Sequence, residues 1–437
     1  MTQVKTAEIL DVARLPLIGD FGFTGGREGF RAFCAAVFVP GAPRFLRTTD
    51  DELVVFRHAD LRALGAMPDM ANVPPALLFG AVPADCSVAE PAPGQGIPTV
   101  ISNQFFTANP PLHGPLRMTL LRQLGPKQVG GMETLAGTIV QSILDGLDGA
   151  AEIDVVRDVA EQLTLRFWAA LIGLTETETA ELALSVQEIS LLFLLERSLE
   201  EGGRLDAAAR RYHALILGAA ERSLALGGYP FVEALASELA AIRFEDDPAT
   251  TGIVPRSVGA FLSGNLIDGF HTAAVAAANA LHVLLRQPEA RAAVKAAPEL
   301  LDRAVFEALR LEPPVLALKR WVRAPIRHDG MLIPQDTITV LFWAAGNHDP
   351  SVFAAPDRFD LTRPHQGVTT FGTGAHICPG RYLALMLARV LLERIEANGI
   401  DFAPPDEAGD WVANSVMGQL KTMKLRVRRR AASRRPG

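Results

Sequence analysis

The chain has 437 residues, 49% of them hydrophobic and 21% charged, with a formal net charge of −7. That length can bury one large core, and the composition excludes a disordered chain. Only Cys34, Cys86 and Cys378 carry thiols, too few and too far apart for a disulfide scaffold.

Residues 421–437 hold eight Lys or Arg and no acid, so the first 420 carry −15. The basic run has no interleaved aromatics, so residues from about 429 to 437 are expected to form a flexible, solvated tail, and no nucleic-acid partner is expected. Asp11, Arg14, Asp20, Arg27 and Arg31 interrupt the N-terminal region, which does not read as a secretory signal and points to the cytoplasm. Thr272 to Leu285 is the longest apolar run; it is too short for a bilayer span and predicts a buried helix, with no membrane partner.

In chain order, Leu53 to Phe56 predicts a strand. Met67 to Pro111 contains nine prolines and predicts an irregular loop in which no long helix persists. From about 130 to 310 apolar residues recur at three- and four-residue spacing, as in Leu135 to Leu147 and Val156 to Ile172, and predict helices. Thr337 to Phe342 and Met423 to Val427 predict further short strands. No repeat or linker divides the chain. The expected fold is mainly α with a small β region, as a single large domain over residues 1–437.

The chemistry concentrates at Phe371-Gly372-Thr373-Gly374-Ala375-His376-Ile377-Cys378-Pro379-Gly380, followed by a helical pattern from Tyr382 to Ala397. Glycines at 372 and 374 permit a tight turn around Cys378, and a helix N-terminus brings partial positive charge that favours thiolate. An inert buried cysteine is the bland alternative. Structural zinc needs about four ligands, and no Cys-x-x-Cys pair is present; a cysteine hydrolase needs a partner base that nothing local supplies. A single thiolate suits haem iron, whose equatorial ligands come from the porphyrin.

This Phe-Gly-x-Gly-x-His-x-Cys-x-Gly segment resembles the haem-binding signature of the cytochrome P-450 family, soluble bacterial type. Glu307-Ala308-Leu309-Arg310 is similar to the family's Glu-x-x-Arg helix. Pro356-Asp357-Arg358-Phe359-Asp360 resembles the segment that completes its ion-pair triad, so Glu307, Arg310 and Arg358 are expected to form a structural cluster. Residues three apart on a helix share a face, which lets Glu307 meet Arg310. The resemblance covers roughly residues 105 to 430. It implies the P-450 fold, haem b bound through Cys378 as metal ligand, and cofactor contacts from Phe371, Gly372 and Gly380. His113, Arg117, Arg320 and His376 would then hold the two haem propionates by charge-assisted hydrogen bonds.

On the oxygen side the family carries a Gly-x-acid-Thr segment that opens the helix ladder and relays protons to dioxygen. Here Asp268-Gly269-Phe270-His271-Thr272 aligns with it, with His271 where an acid is usual and Asp268 where a small residue is usual. Asp268 lies about 40° from Thr272 and about 60° from His271 around a helix, so the three can border one pocket. The resemblance implies catalytic roles for Thr272, Asp268 and His271 in proton delivery. His271 turned away into a core hydrogen bond, and Asp268 binding a polar or cationic substrate group, stand as alternatives.

The implied activity is a monooxygenase that uses dioxygen to hydroxylate or otherwise oxidise a small, largely apolar substrate. Leu77 to Phe79, Val315 to Leu318 and Val416-Met417 are expected to wall its pocket. No flavin or iron–sulfur segment is present, so electrons are expected from a ferredoxin or flavodoxin with its NAD(P)H reductase, docking near Arg381 and Arg389 on a monomeric enzyme. The altered Asp268/His271 pair leaves two other readings: a haem-thiolate enzyme without hydroxylation, such as a peroxygenase, isomerase, dehydratase or ring-forming oxidase, and a non-catalytic haem sensor.

Overall fold

A computed structural model describes residues 8–80, 82–83, 85–147, 152–193, 198–242, 257–402, 410–412 and 416–429. Seven of its helices organise the site: α1 His113–Gln123, α2 Glu133–Gly146, α3 Glu161–Ile172, α4 Leu199–Leu226, α5 Val258–Leu285, α6 Leu301–Leu311 and α7 Arg381–Ala397. Ten of the thirteen strands among the described residues make up three of its four sheets: β1 Leu46–Arg47, β2 Leu53–Val55, β3 Met70–Ala71, β4 Glu152–Asp154, β5 Leu318–Val322, β6 Ile338–Leu341, β7 Ile400–Phe402, β8 Asp410–Trp411, β9 Leu420–Thr422 and β10 Lys424–Arg429.

Helix α5 is the axis. Ser257 caps it, with Oγ accepting from Ala260 N at 3.1 Å, and its sequence is apolar on every face, so it must be enclosed. Helices α3, α4, α6 and α7 pack around it. The wholly buried Phe261 and Leu262 each contribute roughly 1.5–3 kcal/mol by leaving water. Helix α4 opens with a reciprocal capping box between Ser198 and Glu201.

The principal sheet runs β1-β2-β6-β5-β3, parallel at β2-β6 and antiparallel elsewhere. Leu53, Val54 and Val55 are completely buried, which explains their uninterrupted apolar run. A second sheet, β7-β10-β4, joins two C-terminal strands to β4 from mid-chain, and the β8-β9 pair is C-terminal. The expected strands and the mainly α character are thus present. Arg429 ends β10, and the remainder of the expected basic tail lies outside the described residues.

Two expectations change. The helix expected from Val156 begins instead with a wide π turn over Val155–Ala160, because Asp154 holds its first residues to the sheet end, accepting from Val156 N at 3.1 Å and Met423 N at 3.0 Å. The proline-rich stretch is also more ordered than expected, with short helices Pro75–Phe79 and Gly96–Ser102 and a 3₁₀ turn at Phe105–Thr107.

That stretch is fastened to α4 and α5. The Asp206 carboxylate accepts from Gly94 N at 2.9 Å and Gly96 N at 2.7 Å, so it supplies partners at the start of Gly96–Ser102. A Cβ on Gly96 would lie 2.5 Å from Asp206 O, which requires glycine there. His213 bridges Ser263 Oγ at 2.7 Å and Val88 O at 3.1 Å; a carbonyl only accepts, so Nε2 carries the proton. Asp206→Ala is expected to leave both glycine amides without this partner and to speed amide exchange in residues 94–102 by about tenfold, read by hydrogen–deuterium exchange. Unchanged protection would show that the carboxylate does not fasten the segment.

Candidate haem-thiolate site

The cysteine loop is positioned from a buried ion cluster outward. Glu307, 4% exposed, receives Arg310 through two bonds of 2.8 Å, and Arg310 is wholly buried. The third member is Arg363, whose Nε lies 3.1 Å from Glu307 Oε1. Arg358, expected in that place, points outward with its side chain 72% exposed and pairs at 3.4 Å with Asp360. It contributes only its backbone carbonyl, which accepts from Arg310 Nη2 at 3.3 Å. The sequence signal for Arg363 was its place three residues beyond Asp360, whose own N–H donates to Glu307 Oε1 at 3.1 Å.

Arg310 Nη1 donates to Asn347 O at 2.8 Å, and the Asn347 side chain accepts from Thr369 N at 2.7 Å and donates to Thr370 Oγ1 at 2.9 Å. The next residue, Phe371, accepts from Cys378 N at 2.8 Å. Gly372 and Gly374 between them have φ of +72° and +67°, a region closed to most side chains, and a Cβ on Gly374 would meet Gly65 O at 2.9 Å. Cys378 precedes α7, with the Gly380 N–H directed at its sulfur. Burial nevertheless pushes the thiol above its ordinary pKa, outweighing the help of Gly380, Arg117 and Arg381. The loop thus supplies the groups expected to favour thiolate, but burial opposes them; a coordinating metal would add the positive charge that tips the balance.

On one flank lie His113, Arg117 and Arg320, each under 8% exposed, together with His376. The His113 and His376 rings sit 4.3 Å apart. Arg117 donates to Ile377 O, and Arg320 to Lys319 O at 2.9 Å. Burial, aided by Arg117 and Arg320, lowers His113 to about 4, and burial with Arg320, His113 and Arg117 lowers His376 to about 3. Burial alone lowers Arg320 to about 10. No carboxylate among the described residues pairs with these groups, and His113 Nε2 is buried without a partner. Two buried arginines and two imidazoles around one thiol suit a ligand that brings a metal and two carboxylates, and haem b has that composition.

On the facing side, 24 of the 28 residues of α5 are buried; the exceptions are Asp268, Gly269, His271 and Thr272. This accessible window sits mid-helix in an otherwise enclosed element, so it opens onto interior space. The structure thus brings together the three residues expected on the oxygen side. The helix runs on through them, and Thr272 Oγ1 donates to Asp268 O at 2.5 Å, a back-bond that competes with the helix ladder for that carbonyl. His271 Nε2 meets Gln419 Oε1 at 3.1 Å, and the Asp268 carboxylate accepts from Gln104 Nε2 at 3.2 Å. Desolvation raises Asp268 to about 7 and lowers His271.

Gln104 and Gln419 escaped the sequence reading. The buried polar run Ser102-Asn103-Gln104 amid apolar residues was a usable signal for the first, while nothing local marked the second. Of the expected pocket residues, Val315 pairs with Met417, whereas Leu77 and Leu78 are 57% and 44% exposed and face outward. Arg389 is engaged by Glu133, Asp302 and Glu393, and Arg381 lies over the Tyr382 ring at 4.3 Å. Arg389 is thus neutralised by acids, whereas Arg381 has no carboxylate partner among the described residues and keeps its charge.

A family model for Cytochrome P-450 matches residues 255–395. Cytochrome P-450 144 of Mycobacterium tuberculosis is 30% identical over 333 residues, covering 74% of this chain and 72% of the relative. The chain belongs to the cytochrome P-450 family. It is also similar to 6-deoxyerythronolide B hydroxylase of Saccharopolyspora erythraea, 29% identical over 69% of this chain and 72% of that one, and to the P-450 monooxygenase PikC of Streptomyces venezuelae, 29% identical over 77% and 79%. The solved structures of CalO2 and of ligand-free P-450 TbtJ1 share the fold, each with a TM-score of 0.73, at 22% and 23% identity; the first covers 88% of this chain and 92% of CalO2, the second 91% and 97% of TbtJ1. This P-450 is therefore an oxidoreductase of a family whose general chemistry is monooxygenation.

The ion cluster yields a direct contrast within the P-450. Arg363→Ala is expected to lose about 3–5 kcal/mol of stability by leaving the buried cluster incomplete, and Arg358→Ala to stay within about 0.5 kcal/mol of the parent. Chemical denaturation midpoints read both; equal losses would reinstate Arg358 as the third member.

Proposed function

We propose that this P-450 is a cytoplasmic monooxygenase that binds haem b through Cys378, holds the propionates with His113, Arg117, Arg320 and His376, and oxidises a small, largely apolar substrate. The observation that carries this reading is the lone sulfur in its glycine loop beside buried cations that no carboxylate neutralises. Haem b, when bound, supplies dioxygen activation, with thiolate ligation favouring O–O cleavage. Phe371, Gly372 and Gly380 shape the loop around the sulfur. Glu307, Arg310 and Arg363 keep that loop fixed.

The Thr272 hydroxyl, at the accessible window of α5, orients and passes a proton, while Asp268, raised to about 7, offers a site where a proton can rest near neutral pH and His271 an imidazole that can accept one in passing. Val315, Met417 and the segment preceding α1 exclude water from the substrate. Electrons come from a separate ferredoxin or flavodoxin with its NAD(P)H reductase, since no second cofactor segment is present in the sequence. No described helix is long and apolar enough to cross a membrane, which supports the cytoplasmic placement. Two relatives named as a hydroxylase and a monooxygenase support oxygen insertion in secondary metabolism.

One feature favours the second reading, peroxygenase or other non-hydroxylating chemistry: the usual acid before Thr272 is displaced, with His271 in its place. Turnover supported by peroxide alone, with none from NAD(P)H, reductase and oxygen, would decide for it.

Reduced, haem-loaded protein under carbon monoxide is expected to show the long-wavelength Soret band of a thiolate-ligated haem, and Cys378→Ala to lack it. A band that survives the substitution overturns the ligand assignment. In Thr272→Ala, product formed per NAD(P)H consumed is expected to fall by about tenfold or more, with hydrogen peroxide released instead. Unchanged coupling would remove Thr272 from proton delivery.

A further inference from the structure

Asp268 is the one acid on a 28-residue helix that is otherwise uncharged or carries only histidine. No cation stands near enough to lower its carboxyl; desolvation acts on it alone. Its side-chain donor among the described residues is the Gln104 amide, at 3.2 Å. Gln104 is itself 2% exposed, and its Oε1 is buried with no hydrogen-bond partner. Two acceptors, a carboxylate and an amide oxygen, are thus held in apolar surroundings with one weak donor between them. Such groups are costly to bury unless something donates to both.

Their placement is built into the backbone. Asn265, one turn before Asp268, donates Nδ2 to Asn103 O at 3.2 Å and accepts Phe105 N at 3.1 Å, gripping the residues on both sides of Gln104. A Cβ on Gly264 would lie 2.4 Å from the Asn103 backbone, so only glycine lets the segment approach α5 this closely. The arrangement is less suited to handing protons to Thr272, whose hydroxyl is given to the Asp268 carbonyl rather than to its carboxylate.

We propose that Asp268 and Gln104 form a receptor for a protonated amine, so that the substrate is an apolar molecule carrying an ammonium group. The ammonium N–H is given to the Asp268 carboxylate, and the Gln104 carbonyl oxygen faces the same charge. This deepens the haem-thiolate reading and rests on it, because it places the amine on the α5 wall opposite Cys378.

The test uses haem-loaded protein at pH 7 and a series of N,N-dimethylalkylamines with eight to fourteen chain carbons. Each is compared with its uncharged isostere, in which CH(CH₃)₂ replaces N(CH₃)₂, by equilibrium dialysis. At least one amine is expected to bind about tenfold or more tightly than its isostere, the increment of a charge-assisted hydrogen bond. Asp268→Asn, which preserves shape, is expected to abolish that preference while the isostere binds within about twofold of the parent; Gln104→Leu is expected to weaken it. If no amine outbinds its isostere, or if the preference survives Asp268→Asn, the receptor is refuted. The carbon monoxide band is read on the same samples. A band without amine preference overturns the receptor alone, whereas a missing band overturns the haem-thiolate reading as well.

Discussion

A single buried carboxylate shared by two guanidinium groups fixes the sulfur side of this molecule. Glu307 takes both Arg310 and Arg363, leaving an excess of one positive charge that backbone carbonyls of Asn347, Ala354 and Ala355 help to absorb. Because Arg310 is fully buried, it cannot recover hydration if a partner is lost, so the cluster holds its geometry or fails as a unit. That rigidity passes along covalent and hydrogen-bonded steps through Asn347 and Thr369 to Phe371 and the Cys378 amide. A metal ligand is only as well placed as the groups that hold its backbone.

Charge across the site is polarised. Two arginines and two histidines crowd one flank, where burial and the arginines depress protonation of both histidines, while Asp268 stands alone on the facing helix. An interior with these groups unneutralised is strained electrostatically, and a ligand carrying two carboxylates relieves that strain. Part of the binding free energy of such a group then appears as stability of the folded state. The Gly380 amide, Arg117 and Arg381 favour thiolate at Cys378, yet burial prevails, so ionisation of the sulfur and binding of a metal there would be coupled.

The sequence made the sulfur side legible because local constraints write local patterns. Glycines forced by positive φ at 372 and 374, and an acid and a base three apart on α6, leave signatures within a few residues. The strands Leu53–Val55 and Ile338–Leu341 were readable for the same reason, as short apolar runs between breakers. What failed was contact across the chain. Arg358 and Arg363 are both plausible partners by spacing, and only the fold decides which guanidinium turns inward. Gln104 and Gln419 meet α5 from 164 and 148 positions away, and no periodicity encodes such meetings. Leu77 and Leu78 looked like pocket walls because apolarity was visible and direction was not; the short helix that carries them turns both to solvent.

The displaced acid on α5 is best understood through the helix that holds it. A Cβ at Gly269 would lie 3.1 Å from the Trp168 ring, so that face of the helix is pressed against α3 and has no room to bulge. Thr272 returns its hydroxyl to the carbonyl one turn earlier. Side chains therefore supply the polar groups at this wall. Three are accessible, and two of them are already turned to partners on other segments: His271 to Gln419, Asp268 to Gln104. Moving the carboxylate from the position before Thr272 to the position four before it therefore does more than shift a proton donor around the helix by about 60°. It sets the acid against the segment that Asn265 grips, where it accepts from the Gln104 amide, and it leaves a histidine, with its own partner, beside the hydroxyl.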